Sequence, residues 1–335
     1  MFVLLPVKTA LADSPVTSTA FHQAYLDVPI VQSAVEAGYV TEVLAEFLAD
    51  EAAPLDIRAA VINAIGWEDG RGGRAESFVK FAYGQTMEEL DWSALRGDEL
   101  LVIGYLLALD DYMDTTQAEA LLLDARRKLE TSFTAAIVHA IVKSQGPMLP
   151  STWEEAWKIA AAVVHDDRLQ MDMRPEAAEI IFDYMGLYSG KKLINPFSAE
   201  NRLTLREGEP TFTLNGGTFR IDPQYDASPV RRGGQVYLPV RFLTEIVGGN
   251  VHWESGTNRI WANAPGARLE FAIGSGKVVV NGEERMLDNA PFVRNGRTML
   301  PYRFIAEALG FDASWDERTK EITLSRYREA SVPQE

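Results

Sequence analysis

From about Ser18 to Tyr188, apolar residues return at the three-and-four spacing of an amphipathic helix, and few segments alternate with the period of two that a strand requires. Leu100–Leu109 is apolar around its whole circumference, which predicts a central helix with the others packed around it; the run is too short to cross a bilayer. Segments 57–67, 133–145 and 176–187 are amphipathic and rich in Ala and Ile. Thr86–Glu89, Asp114–Gln117 and Ser151–Glu154 each set a capping side chain three residues ahead of Glu or Gln, as a helix start does. Pro54 and Pro175 suit a first helical position, and Gly66, Gly70 to Gly73, Gly84, Gly97, Gly146 and Gly186 suit stops or turns. Roughly eight to ten helices follow, in an all-α bundle or an irregular helical array over residues 13–190.

The pattern changes between Ser189 and Glu209, where helical periodicity is lost around Gly190-Lys191-Lys192 and Asn195-Pro196. A linker is expected over 191–202. Beyond it, Phe212-Thr213-Leu214, Asn215-Gly216-Gly217 and Thr218–Ile221 read as a hairpin, and Val278–Val280 before Asn281-Gly282 reads as another. Gly274-Ser275-Gly276-Lys277 lacks the first Gly and the Ser/Thr of a phosphate loop, so it too reads as a hairpin turn.

Residues 229–262 return at 291–324 without a gap, at an offset of 62, with twelve of 34 positions identical. The motif is carried by Pro239, Arg241, Phe242, Glu245, Gly248 and Trp253 and again by Pro301, Arg303, Phe304, Glu307, Gly310 and Trp315. Each copy predicts a strand, a helix of about two turns begun by the Pro and ended by the Gly, and a hairpin. Neither copy can bury a core alone, so the two are expected to form one domain, with antiparallel sheet packed on short helices. Arg241 and Arg303 are expected to pair with Glu245 and Glu307 one turn on, and Trp253 and Trp315 to anchor the core. These twelve positions are therefore assigned to structure.

Charge separates the halves: residues 1–200 hold 31 acidic against 15 basic side chains, and residues 201–335 hold 17 of each. The acidic half repels phosphate backbones and anionic lipid, so nucleic acid is not an expected partner. The absence of cysteine removes thiol catalysis, Cys-ligated metal and disulfides. At the N-terminus, Phe2–Val7 followed by Ala10-Leu11-Ala12 resembles the distal part of a signal peptide, so residues 1–12 are expected to be its remnant and the product extracellular or at the cell surface.

Val236–Ala262 and Thr298–Leu324, each with L-P-x-R-F, a helix, Gly and W-[DE]-x-x-T, resemble the copper amine oxidase N-terminal-like family of stalk domains. Asn281-Gly282 and Pro291–Thr298 match the same family, and the resemblance covers about residues 203–326, leaving 327–335 as a tail. It implies a small module, mostly of exported bacterial proteins, that accompanies unrelated domains. It does not imply oxidase chemistry, which belongs to a separate domain with three His copper ligands and an Asn-Tyr motif. Here Asn-Tyr does not occur, and His22, His139, His165 and His252 lack metal-site spacing.

No cofactor, metal or catalytic residue is assigned. His165-Asp166-Asp167 with Asp172, and Asp110-Asp111 with Asp114, are read first as helix-end carboxylates and only second as a general base or a cation site. The expected function is that of a non-catalytic exported bacterial protein whose stalk module attaches, spaces or binds at the cell envelope for a helical domain. Cell-wall glycan or another envelope protein is the expected partner. The alternatives are a cell-wall-active enzyme with catalysis in the helical half, or a glycan-binding module using Trp253, Trp261 and Trp315.

Overall fold

A computed structural model of the protein describes residues 14–66, 72–146 and 153–327. The chain divides into two compact units, Met1–Lys191 and Lys192–Glu335.

The first unit is helical. Its α-helices among the described residues are α1 (Pro15–Ser18), α2 (Pro29–Ala37), α3 (Glu42–Ala49), α4 (Leu55–Ile65), α5 (Arg74–Tyr83), α6 (Gly97–Asp110), α7 (Thr116–Lys128), α8 (Phe133–Lys143), α9 (Trp153–Val164) and α10 (Pro175–Gly186). As its all-round apolar pattern predicts, α6 is buried along nearly its whole length. Two of its glycines bring α7 close: a Cβ on Gly104 would lie 2.9 Å from Leu122 Cγ, and one on Gly97 would lie 2.8 Å from Leu129 Cγ. Gly97 is therefore not a stop but the first residue of α6, kept small by its neighbour helix. Asp98 in the same first turn is buried. Burial alone would raise its carboxyl, but Arg96 at 3.0 Å and Arg58 at 2.8 Å outweigh that and hold it below the usual carboxylate range.

Three capping expectations need correction. Thr86 and Glu89 do bond, with the Thr86 N–H donating to Glu89 Oε2 at 2.9 Å, but they close a single turn instead of opening a helix. The stretch to Arg96 is too short and polar to offset helix nucleation. Pro54 stands at the N-cap of α4, one position ahead of the expected one. Asp114 accepts from the Thr116 N–H at 3.1 Å from outside the cap, Thr115 being the N-cap of α7. Ser151 lies outside the described residues.

In the second unit the order is β1 (Glu200–Arg206), β2 (Thr211–Leu214), β3 (Gly217–Arg220), β4 (Val230–Arg232), β5 (Gln235–Pro239), α11 (Val240–Ile246), β6 (Asn250–Glu254) and β7 (Arg259–Ala264). It continues with β8 (Ala267–Ala272), β9 (Lys277–Val280), β10 (Glu283–Met286), β11 (Phe292–Arg294), β12 (Arg297–Pro301), α12 (Tyr302–Ala308), β13 (Asp312–Asp316) and β14 (Glu321–Tyr327). Three antiparallel sheets result: β13-β14-β1-β2-β3, β10-β9-β8-β7-β6 and β11-β12-β5-β4. Apolar residues of all three, among them Leu203, Leu238, Leu269, Leu300 and Leu324, share one core with Leu243 of α11 and Ile305 of α12. The segment from Lys192 to β1 is built into this unit: Ile194 is buried there, and its N–H donates to Ile246 O at 2.8 Å.

The duplication is larger than the sequence repeat. β1-β2-β3 returns as β8-β9-β10 at an offset of 66, with Leu203, Leu205 and Asn215-Gly216 matched by Leu269, Phe271 and Asn281-Gly282. Both hairpins carry the same bonds. Asn215 Oδ1 accepts from the Arg202 N–H at 2.9 Å, and Asn281 Oδ1 from the Arg268 N–H at 2.7 Å. The Asn residues adopt φ of 48° and 52°, the conformation a two-residue hairpin loop needs. The connection after β3 (221–228) is four residues longer than that after β10 (287–290), which changes the offset from 66 to 62. The copies also exchange strands: β7 of the first pairs with β8 of the second, and β14 of the second pairs with β1 of the first.

Candidate functional site

The repeated polar residues are used within the fold. Arg241 Nη1 lies 3.0 Å from Glu245 Oε1, and Arg303 Nη1 lies 4.0 Å from Glu307 Oε1. Each arginine also reaches the carbonyl ten residues on: Arg241 donates to Val251 O at 3.5 Å and Arg303 to Ala313 O at 2.9 Å. The guanidinium thus ties the short helix to the first strand of its hairpin, a second partner that i,i+4 spacing does not reveal. Gly248 (φ 84°) and Gly310 (φ 77°) follow the helix ends in the left-handed region.

The tryptophans part company. Trp253, on the edge strand β6, is 54% exposed and is not the expected core anchor. Trp315, its counterpart, packs partly buried against the core. Trp261 pairs with His252, their rings 5.7 Å apart, on the sheet face opposite to Trp253, which pairs with Ile260. The three tryptophans named for a glycan site therefore do not form one platform.

A cleft of about 590 Å³ opens beside α12. Tyr302, Arg303, Phe304 and Glu307 form one wall, Trp315 and Glu317 another, and Arg231, Gln235 and Met286–Asp288 complete it. The Trp315 indole N–H donates to Glu317 Oε2 at 2.6 Å, and the Arg231 guanidinium lies 5.1 Å from the indole centroid and 2.9 Å from Glu317. With Lys320, Trp315 and Arg231 all donating to it, the Glu317 carboxyl is held down at about 2. It stays ionised at any ordinary pH and holds Trp315 and Arg231 in place; it is not a group poised to move protons. Gln235 Oε1 is buried against the cleft without a hydrogen-bond partner among the described residues, while its Nε2 is 3.5 Å from Asp288.

In the first copy the corresponding place is filled. Arg297 and Asp222 stand where Gln235 and Asp288 do, paired at 2.5 Å, and Tyr225 of the longer connection packs 3.7 Å from the Arg297 guanidinium. Val293 replaces Arg231, and Phe242 is buried against Phe212 at 4.7 Å where Phe304 faces the cleft. The four residues absent from the second connection thus set the two copies apart. The signal for this cleft lay in the change of offset, not in any repeated residue.

The acidic clusters act locally. Asp110 accepts from the Arg74 and Ala75 N–H groups at 2.9 and 3.0 Å, capping α5. Asp111 accepts from Met113 and Asp114, Asp166 is held by Arg168 at 2.7 Å, and Asp172 accepts from the Thr134 N–H at 2.7 Å at the start of α8. Among the described residues, no group of three or more His, Asp or Glu could hold a metal ion, and no helix is long and apolar enough to cross a membrane.

The second unit is thus defined as a duplicated module of two strand-exchanged halves, each built on a strand, a short helix and a hairpin. Residues 198–324 match the family model of the copper amine oxidase N-terminal domain, so this part of the chain carries that domain. No curated protein and no solved structure matches the chain.

Proposed function

We propose that the protein is a non-catalytic, exported bacterial protein in which the stalk-type unit attaches, spaces or binds at the cell envelope on behalf of the helical unit. The observation that carries this is the use of the repeated Arg and Glu side chains to brace the module itself, at 3.0 Å for Arg241–Glu245 and 2.9 Å for Arg303–Ala313 O. A duplicated unit whose shared polar residues are structural makes a rigid spacer, and the cleft beside Trp315 gives it a place to hold a partner. The signal-like residues 2–12 support the address.

Fractionation of the native organism tests it. Recovery in the envelope or medium, with the chain starting beyond Ala12, is expected. Recovery in the cytosol with residues 1–12 retained would overturn the export part. Wall turnover lost on substitution of an acidic residue in the helical unit would overturn the non-catalytic part.

A further inference from the structure

We infer that the outer face of the sheet β13-β14-β1-β2-β3 binds an uncharged polyhydroxylated chain, a neutral polysaccharide lying across the strands. One row of that face carries a hydroxyl on every strand. Ser314 is paired with Thr323, Thr323 with Thr204, Thr204 with Thr213 and Thr213 with Thr218. At about 4.8 Å between strands the row extends on the order of 19 Å, one hydroxyl per step, a step close to the rise of one pyranose unit in an extended glycan. The neighbouring positions Leu203, Leu205, Phe212, Ile322 and Leu324 are buried in the core, so alternation turns the hydroxyls outward. Among the described residues, none of the five hydroxyls bonds another group of the protein, so their donors and acceptors are open.

The fold does not demand this row. The other five-stranded sheet is made of the same duplicated halves in the same register, and its matching row reads His252, Trp261, Glu270, Val279 and Glu284. Threonine's preference for strands would act equally on both sheets. Charge points to a neutral ligand. The row is uncharged, and beside it Arg206 and Glu321 neutralise each other at 3.4 Å along a hollow of about 420 Å³ that Thr204, Thr211 and Thr213 help to line, with Glu209 the one further charged residue of that lining. On the rest of the face, Arg202 and Arg220 stand against Glu200, Asp312 and Asp316, so neither an anionic nor a cationic polymer finds a field of one sign. A hydroxyl both donates and accepts, which suits it to another hydroxyl.

This inference names the ligand class for the binding module of the proposed function and rests on that module binding, not on export. Native affinity electrophoresis of the full chain, in gels containing hydroxyethylcellulose, glucomannan or galactomannan, tests it. Retardation in at least one gel is expected. The T204V/T213V/T323V variant, which exchanges hydroxyl for methyl at near-equal shape, is expected to bind about tenfold more weakly or worse, at an unchanged urea midpoint. Should that variant fold poorly, S314A/T218V at the exposed ends is expected to weaken binding a fewfold. W261A, on the other sheet, is expected to bind as the parent does. No retardation in any neutral gel, retention of binding by a folded triple variant, or loss of binding in W261A instead would overturn it. Each of these outcomes is independent of where the cell places the protein.

Discussion

Leu238 and Leu300 hold the same position in the two copies and lie directly opposite each other in the β5–β12 pair, both fully buried. The flanking pairs exchange roles, Met299 with Pro239 and Pro301 with Tyr237. A local two-fold axis therefore passes between the leucines. Either leucine to alanine is expected to cost about 2–5 kcal/mol of the second unit's stability. Because the side chains meet at the axis, the double variant is expected to cost less than the sum of the two, by about 0.5 kcal/mol or more, in urea unfolding.

The helix-ending glycines matter more than the motif arginines. Gly248→Ala and Gly310→Ala force a side chain into φ near 80° and are expected to cost about 1 kcal/mol or more each. Arg241→Ala and Arg303→Ala remove ion pairs that solvent partly screens, with one bond each to the hairpin carbonyl, and are expected to cost about 1 kcal/mol or less. Thermal midpoints of the four variants check the order.

The two aligned tryptophans are expected to behave unequally. Trp315→Ala removes packing against the core together with the bonds to Glu317 and Arg231, and is expected to cost about 2 kcal/mol. Trp253→Ala, at an exposed edge, is expected to change stability by about 0.5 kcal/mol or less in the same denaturation assay.

Alanine at an interior helix glycine ordinarily stabilises by about 1 kcal/mol. At Gly104 the added methyl would press on Leu122 at 2.9 Å, and overpacking of this kind costs about 1–3 kcal/mol. Gly104→Ala is therefore expected to lower the helical unit's unfolding midpoint, and Gly104→Val to lower it further.

His139 gives the helical unit a pH dependence. Burial above all, with Arg126 and Lys143 nearby, pushes its imidazole down to about 4 from 6.5, and neither ring nitrogen has a hydrogen-bond partner among the described residues. As pH falls the unfolded chain takes up this proton first. The contribution is therefore complete above about pH 6.5 and is lost progressively down to about pH 4, on the order of 3 kcal/mol in all. His139→Leu is expected to flatten urea stability across that window, and an unchanged slope would refute the assignment.

Much of the fold was legible because its causes are local. The all-round apolar Leu100–Leu109 can only be satisfied in an interior, and Asn215-Gly216 and Asn281-Gly282 supply the left-handed residues a tight hairpin requires. Thr86–Glu89 misled because a capping bond can close one turn as well as open a helix. The larger duplication escaped an ungapped alignment because four residues are missing after β10, and that same omission leaves the cleft beside Trp315 open.

The sequence by itself thus determined the helical and stranded halves, the repeated strand-helix-hairpin and the family of the second unit, since periodicity, turn residues and a fixed offset are properties of neighbouring positions. Only the tertiary structure decided that Trp253 is exposed while Trp315 packs against the core, that Arg303 reaches Ala313 O, and that Ser314, Thr323, Thr204, Thr213 and Thr218 align in one row. The row depends on β14 pairing with β1, segments more than a hundred residues apart, and the tryptophans and Arg303 depend on how each short helix and hairpin packs on the shared core; no local pattern along the chain specifies these relations.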